Sequence, residues 1–431
     1  MAALYSIAEF GSFVADKDVP GYQSLPKCTF DQLENFILAN RNKDTDALEL
    51  MGISARKGVG KIITAKNYVG IITMRDGTTI EILPKIYSGT FDALDEKEDI
   101  VRSRKILVDM LKTLQQPPYK SIQTAHVNTA KMNVFEVFIR MFIDEVFRIV
   151  KHGLRCDYEP ILQNENVIKG KLKFSEHIKR NYAHKELNFV EYDHYSSNRP
   201  ENRLIKSTLQ YLYWQSDSAK NKRDIKTLLN EFSDVELSRD YETDFSKCKQ
   251  DRNMKDYEFV LLWSKIFLRG QSFTSFSGSE IATVLLFPME TIFERYIAIK
   301  LFKILGKEVF QFFMQDKRYH LFDEPGKKFP IKPDIVMIRR DDGKVFIADT
   351  KWKILSDTKA NHGISQNDMY QMFAYQKKYN AEYITLIYPL TKYISSDDEI
   401  QYKSHDGVTV RVEFVDLFDV DGSLGRIAGV D

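Results

Sequence analysis

The chain has 431 residues, too many for one ordinary core, so two or three domains are expected. Hydrophobic residues at 43% and charged residues at 29% are ordinary for a soluble globular protein. A net charge of +1 excludes a globally basic nucleic-acid binder; any such contact has to come from local patches or from a partner. Cys28, Cys156 and Cys248 are odd in number and far apart, form no zinc pattern, and point to a reducing compartment. No basic segment precedes an apolar core at the N-terminus, so no signal peptide is expected. No apolar run approaches the roughly 18 residues needed to span a bilayer. The expected location is cytoplasmic.

Residues 1–98 read as β-rich. Strands are expected at Lys61 to Lys66, Tyr68 to Met74 and Thr78 to Leu83, the last two joined by an Asp-Gly turn at Arg75-Asp76-Gly77. Asp31 to Leu38 predicts a short helix. Ser54 to Lys61 is small, basic and Gly-rich, but it is no phosphate loop. Gly60-Lys61 is followed by Ile62 rather than Ser or Thr, and Ala55 stands where the first glycine belongs. A basic hairpin tip is the better reading, and no nucleotide site is expected on this chain.

Asp92 to Asp99 reads as an acidic linker. Residues 99–279 read as mainly helical, with helices at Val101 to Leu114, Val134 to Val150, Glu201 to Trp214, Ile225 to Phe232 and Tyr257 to Leu268. In the second of these, Phe135, Phe138, Phe142, Val146 and Ile149 form one stripe, which is expected to face a core. Lys169, Lys171, Lys173, Lys179, Arg180 and Lys185, with Phe174 and Tyr182 among them, form a basic stretch. It would suit a phosphate backbone, or would be a solvated charged face. Gln271 to Ser279 is small and polar and marks a boundary.

Residues 280–431 change pattern. A helix is expected at Met289 to Leu305, strands at Val309 to Met314 and around Tyr319 to Phe322, a helix at Gln366 to Tyr379, and a buried strand at Tyr383 to Tyr388. Val408 to Val415 alternates and reads as an edge strand. Between these lies a hairpin signature: Pro333-Asp334 opens one apolar run, Arg339 to Gly343 forms the turn, and Asp349-Thr350-Lys351 closes the second run. The order is that of an α/β domain with a mixed sheet.

Asp349 and Lys351, two residues apart on a strand, share a face with Asp334 nearby. Two carboxylates, with the Thr350 carbonyl, suit a hard divalent cation that keeps several waters. An adjacent lysine can orient water and stabilise developing negative charge on a phosphodiester. Beside two carboxylates the lysine stays charged. Asp95-Glu96-Lys97 and Asp357-Thr358-Lys359 repeat the Asp-x-Lys spacing without ending an apolar strand. From the residues alone, a metal site and an ordinary Asp–Lys pair at a sheet edge both remain open.

Glu294, Pro333-Asp334, Asp349-x-Lys351 and Gln371-x-x-x-Tyr375, in that order, resemble the PD-(D/E)xK nuclease superfamily. More closely, the chain resembles the McrC family, the nuclease subunits of McrBC-type modification-dependent restriction systems. The carrying residues are Ile80 to Ile86, Gly170-Lys171-Leu172, Asn202 to Lys206, Ile292 to Tyr296, Asp349 to Lys353 and Gln371 to Tyr375. The resemblance implies a Mg²⁺-dependent DNA endonuclease (Mn²⁺ as a possible substitute) with Asp334 and Asp349 on the metal, Lys351 catalytic, and Glu294 and Gln371 completing the site. It implies an McrB-like AAA+ GTPase partner whose hydrolysis the chain stimulates, and double-stranded, modified DNA as target. On this reading residues 1–98 contact the motor, with Arg56, Lys57 and Lys61 as candidates. Residues 99–279 are a possible DNA contact through Lys169, Lys171 and Lys173, and residues 280–431 are the endonuclease, with Tyr375 against DNA. The alternatives are a non-catalytic activator of the motor and a stand-alone repair nuclease.

Overall fold

The computed structural model describes residues 3–39, 50–74, 78–85, 96–114, 134–184, 186–248, 254–269, 281–391, 393–394 and 400–428. Outside them lie the expected turn at Arg75 to Gly77, the linker residues Asp92 to Asp95, the boundary at Gln271 to Ser279, Ile86 and Lys185. The chain forms two compact units, one of residues 1–134 and 273–431, the other of residues 135–272.

The first unit begins with β1 (Leu4–Ala8), β2 (Ser12–Ala15), β3 (Gln23–Leu25), α1 (Lys27–Ala39), β4 (Met51–Arg56), β5 (Gly60–Ala65), β6 (Tyr68–Met74), β7 (Thr79–Leu83) and α2 (Glu96–Leu114). Strands β5 to β7 fall where their apolar runs predict. Glu96 to Asp99, expected in the linker, instead open α2. Strands β4 and β5 form the anticipated hairpin across the basic tip, with Arg56 opposite Gly60. The strands make two sheets, one in the order β3-β2-β5-β4. Phe13, Phe30, Leu33, Ile63, Ile72 and Ile82 share their core. Glu81 is buried in β7, where it accepts from Arg104 of α2 at 2.6 Å and from Ser6 at 3.0 Å.

The second unit holds α3 (Val134–His152), β8 (Asp157–Glu165), β9 (Lys171–Leu172), α4 (Phe174–Arg180), β10 (Asn188–Ser196), α5 (Pro200–Gln215), α6 (Ala219–Glu231), α7 (Tyr241–Lys247) and α8 (Lys255–Arg269). The predicted stripe of α3 is core: Phe138 lies 5.4 Å from Trp263, and Phe142 lies 5.8 Å from Phe267, ring to ring. The helical expectation for residues 99–279 needs one correction. Strand β10 pairs antiparallel with both β8 and β9 in a three-stranded sheet. These strands carry few apolar residues, and Pro160 interrupts β8, so neither period was legible.

The first unit resumes with β11 (Ile281–Pro288), α9 (Met289–Leu305), β12 (Phe310–Met314), β13 (His320–Phe322), β14 (Lys328–Pro330), β15 (Ile335–Arg339), β16 (Val345–Thr350), α10 (Gln366–Tyr379), β17 (Tyr383–Pro389), β18 (Ile400–Lys403), β19 (Thr409–Val415) and α11 (Val420–Ala428). Strand β11 completes a sheet in the order β1-β7-β6-β11, joining segments from both ends of the chain. Gly70 makes that pairing possible: its φ is +136°, and a Cβ there would stand 1.9 Å from the Leu285 carbonyl oxygen.

The remaining strands form a six-stranded mixed sheet, β12-β15-β16-β17-β19-β18. The first three are an antiparallel meander; β16, β17 and β19 run parallel. Helix α10 is the crossover from β16 to β17 and buries Met372, Tyr375 and Tyr379 against Ile384, Leu386 and Tyr388. Strand β19 is not the edge that its alternation suggested, because β18 pairs outside it. Val410 and Val412 are buried while Arg411 is exposed. The alternation reports two unlike faces, not a missing neighbour. No helix among the described residues is long and apolar enough to cross a membrane.

Candidate active site

The hairpin β15–β16 sets Ile335 opposite Ala348, and one step further that register puts Asp334 across from Asp349. Asp349 lies at the C-terminal end of a central strand, where α/β sheets present their functional groups. It is 1% exposed. Asp334 stands just before β15, its carbonyl accepting from Gln315 N–H at 2.8 Å. Its Oδ2 accepts from the Thr350 N–H at 2.8 Å and from the Thr350 hydroxyl at 2.9 Å. Lys351 N–H donates to the Ile387 carbonyl at 2.9 Å, carrying the β16–β17 ladder one residue further and fixing its backbone.

From there the Lys351 ammonium reaches Asp349 Oδ2 at 2.5 Å and donates to Gln371 Oε1 at 3.2 Å. Gln371 and Tyr375 are one turn apart on α10. Gln371 Nε2 donates to the Tyr375 hydroxyl at 2.6 Å, and that hydroxyl donates to the Lys332 carbonyl at 2.9 Å. Gln371 is thereby held with its oxygen toward Lys351. Glu294, on α9, accepts from Gln315 Nε2 at 2.7 Å.

The electrostatics follow from crowding buried carboxylates. Burial pushes the Asp349 carboxyl up to about 7, with Asp334 adding repulsion and Lys351 opposing both. Burial likewise raises Asp334, against the two Thr350 hydrogen bonds. Burial and then Asp334 raise Glu294. Burial works against the Lys351 charge, but Asp349 and Asp334 outweigh it and hold the ammonium protonated above its ordinary range. A cluster of acids disfavoured as anions, compensated by one ammonium, is one that an added cation stabilises. Its donors are hard oxygens. Among the described residues no group of three His, Cys, Asp or Glu side chains is drawn into metal-holding geometry. The Asp334–Asp349 pair with the Thr350 carbonyl fits an ion that retains most of its waters.

Glu294, Asp334, Asp349, Lys351, Gln371 and Tyr375 therefore belong to one neighbourhood. Tyr375, expected against DNA, is corrected: it is 2% exposed, and its hydroxyl is committed to Gln371 and Lys332. Lys169, Lys171 and Lys173 belong to the other unit, on and beside β9. Lys169 is 3.7 Å from Glu165, Lys173 is paired with Glu191, and Lys171 is exposed. Arg56 and Lys57 sit at the β4–β5 hairpin end, Arg56 donating to the Tyr22 hydroxyl at 3.3 Å; Lys61 is ion-paired with Glu34 at 2.6 Å.

Several supporting residues carry no sequence signal of their own. Trp352 is buried between the site and β1. Its indole N–H donates to Glu9 Oε2 at 2.9 Å, and its ring lies 5.1 Å from that of Phe293, the neighbour of Glu294. Lys353 donates to Asp368 at 2.7 Å. These partners lie far apart in sequence, so only the Asp349 to Lys353 run hinted at them. Of the Asp-x-Lys triplets at Asp95 and Asp357, Asp357 pairs with His362 at 3.3 Å in a turn, while Asp95 lies outside the described residues.

The family described as the McrBC 5-methylcytosine restriction system component matches residues 63–389, and the chain belongs to that family. No curated protein matches it. Its fold is similar to that of a chain in the half-complex from the tetradecameric assembly of Thermococcus gammatolerans McrB AAA+ hexamers with bound McrC. The TM-score is 0.67 at 18% identity, covering 99% of both chains. A second solved structure, the T. gammatolerans McrBC complex, matches at a TM-score of 0.48 and 17% identity over 71% of this chain and 89% of that one.

Proposed function

We propose that the chain is the DNA-cutting subunit of a modification-dependent restriction system, with a PD-(D/E)xK nuclease domain formed by the six-stranded sheet and its helices. The observation that supports it best is the chain of contacts Asp349–Lys351–Gln371–Tyr375, set across from Asp334 at the end of β16. Asp334 and Asp349 would hold Mg²⁺, which would supply charge neutralisation and an activated water. Lys351 keeps its proton and places positive charge on the phosphodiester oxygens; Gln371 fixes where that charge points. Glu294 completes the acidic wall.

The nucleotide-driven step would come from an AAA+ GTPase of the McrB kind, whose hydrolysis this chain would stimulate; the T. gammatolerans assembly holds McrB AAA+ hexamers with bound McrC. The absent phosphate-loop pattern at Ser54 to Lys61 supports that division of labour. Arg56, Lys57 and Lys61 are the candidates for motor contact.

The test is cleavage of 5-methylcytosine-containing plasmid by the chain with its GTPase partner and GTP. Cutting should require Mg²⁺ or Mn²⁺ and stop on chelation, and Lys351→Ala should abolish it while GTP hydrolysis stays stimulated. A complex that stimulates GTP hydrolysis but never nicks DNA in either metal would restore the non-catalytic reading. Cutting without motor or nucleotide would favour a stand-alone nuclease.

A further inference from the structure

The segment between β12 and Asp334 does more than connect strands. Residues 321–330 are exposed throughout, yet they form an ordered hairpin, with β13 paired to β14 and His320 opposite Pro330. Its base is braced on the catalytic helix. The Tyr319 ring lies 4.5 Å from that of Tyr379, Asp323 accepts from Lys378 at 3.0 Å, and Tyr375 holds the Lys332 carbonyl. The hairpin therefore leads into Asp334 from a rigid footing.

Its outer surface is basic and aromatic. Lys317, Lys327, Lys328 and Lys332 are exposed, and none is in an ion pair among the described residues. Asp323 is tied to Lys378, so Glu324 is the hairpin's remaining acid. Lys332 acts electrostatically on both Asp334 and Glu294, which places its charge beside the acidic cluster. Phe329 is 69% exposed and Phe322 55%, their rings 6.0 Å apart. Phe329 has φ +56°, a conformation that bulky side chains rarely adopt, so the backbone is strained at a ring held out in solvent. By contrast, Lys169 and Lys173 of the other unit are engaged with glutamates.

We propose that this hairpin is a DNA-contacting flap. Lys327, Lys328 and Lys332 take backbone phosphates next to the cut bond, and the Phe329 ring, backed by Phe322, lies against bases or sugars of the same duplex. The inference rests on the nuclease reading above. It adds a surface that positions the phosphodiester over Asp334 and Asp349.

The test uses the full chain and a fluorescein-labelled duplex, with Ca²⁺ in place of Mg²⁺ so that binding is read without cutting. The Lys327→Ala/Lys328→Ala variant should weaken binding and reduce the slope of log K against log salt by about 0.9 for each phosphate no longer neutralised. Phe329→Gly removes the ring, and glycine accepts the positive φ. It should weaken binding roughly tenfold with the slope unchanged. In the complete complex both should raise KM for DNA and lower kcat/KM for cleavage. Unchanged duplex affinity and salt slope in both variants would overturn the proposal. So would intact duplex binding with lost stimulation of GTP hydrolysis, which would assign the flap to the motor. Asp349→Ala separates the two readings. If it still cuts, the nuclease reading fails, whatever the flap variants show.

Discussion

Tyr375→Phe removes one oxygen and two hydrogen bonds. The hydroxyl accepts from Gln371 Nε2 at 2.6 Å and donates to the Lys332 carbonyl at 2.9 Å, with the ring buried in the core. Each bond contributes about 0.5–1.5 kcal/mol net, so the folded state should lose about 1–3 kcal/mol, measurable by urea denaturation. The ring still fills its place, so no cavity opens. The larger consequence is for Gln371, which is no longer held with its Oε1 aimed at Lys351. If that aim contributes about 1.4 kcal/mol at the transition state, single-turnover cleavage falls about tenfold. Gln371→Ala should lose at least as much, and the double variant should lose less than the sum of the two single losses, because Tyr375 reaches Lys351 through Gln371. Wild-type cleavage by Tyr375→Phe, or additive losses in the double variant, would refute this coupling.

The buried Glu9 carboxyl, which burial pushes from 4.5 up to about 7, should give stability a pH dependence. A raised folded-state pKa contributes stability that is full below about 4.5 and is lost as pH rises through about 7. Its size is about 3 kcal/mol, and Glu9→Gln should flatten that part of the denaturation profile. Gly70→Ala should destabilise by about 3 kcal/mol or more, through both the Leu285 carbonyl clash and the positive φ; an unchanged melting temperature would contradict the β6–β11 pairing. Arg104→Met leaves the buried Glu81 without its cation and should cost about 3 kcal/mol in urea denaturation.

Five strands of the C-terminal sheet, all but β18, were legible because each carries a local apolar signal. Met289 to Leu305 and Gln366 to Tyr379 have helical apolar spacing, and Val345 to Ala348 is an apolar run that ends in Asp349 and Lys351. Glu294 and Gln371 carry no local signal of a site and entered only through the resemblance to the PD-(D/E)xK nucleases. Strands β8 and β10 were not legible, since their apolar residues stand side by side, as in Ile161-Leu162 and Phe189-Val190, and show no strict alternation. The edge assignment of Val408 to Val415 failed because periodicity reports faces, and hydrogen-bond neighbours leave no such trace. The Glu9–Trp352 bond spans most of the chain and has no local signature. Tyr375 shows the limit most clearly. Its spacing from Gln371 was visible, but whether its hydroxyl faced DNA or the Lys332 carbonyl depended on the fold.

The most direct measurement is single-turnover cleavage of methylated plasmid by the complete complex carrying wild-type chain or Asp349→Ala, with Mg²⁺ and GTP. The account predicts that Asp349→Ala leaves GTP hydrolysis and complex assembly intact and yields no cut DNA. Cutting at the wild-type rate by Asp349→Ala would contradict it.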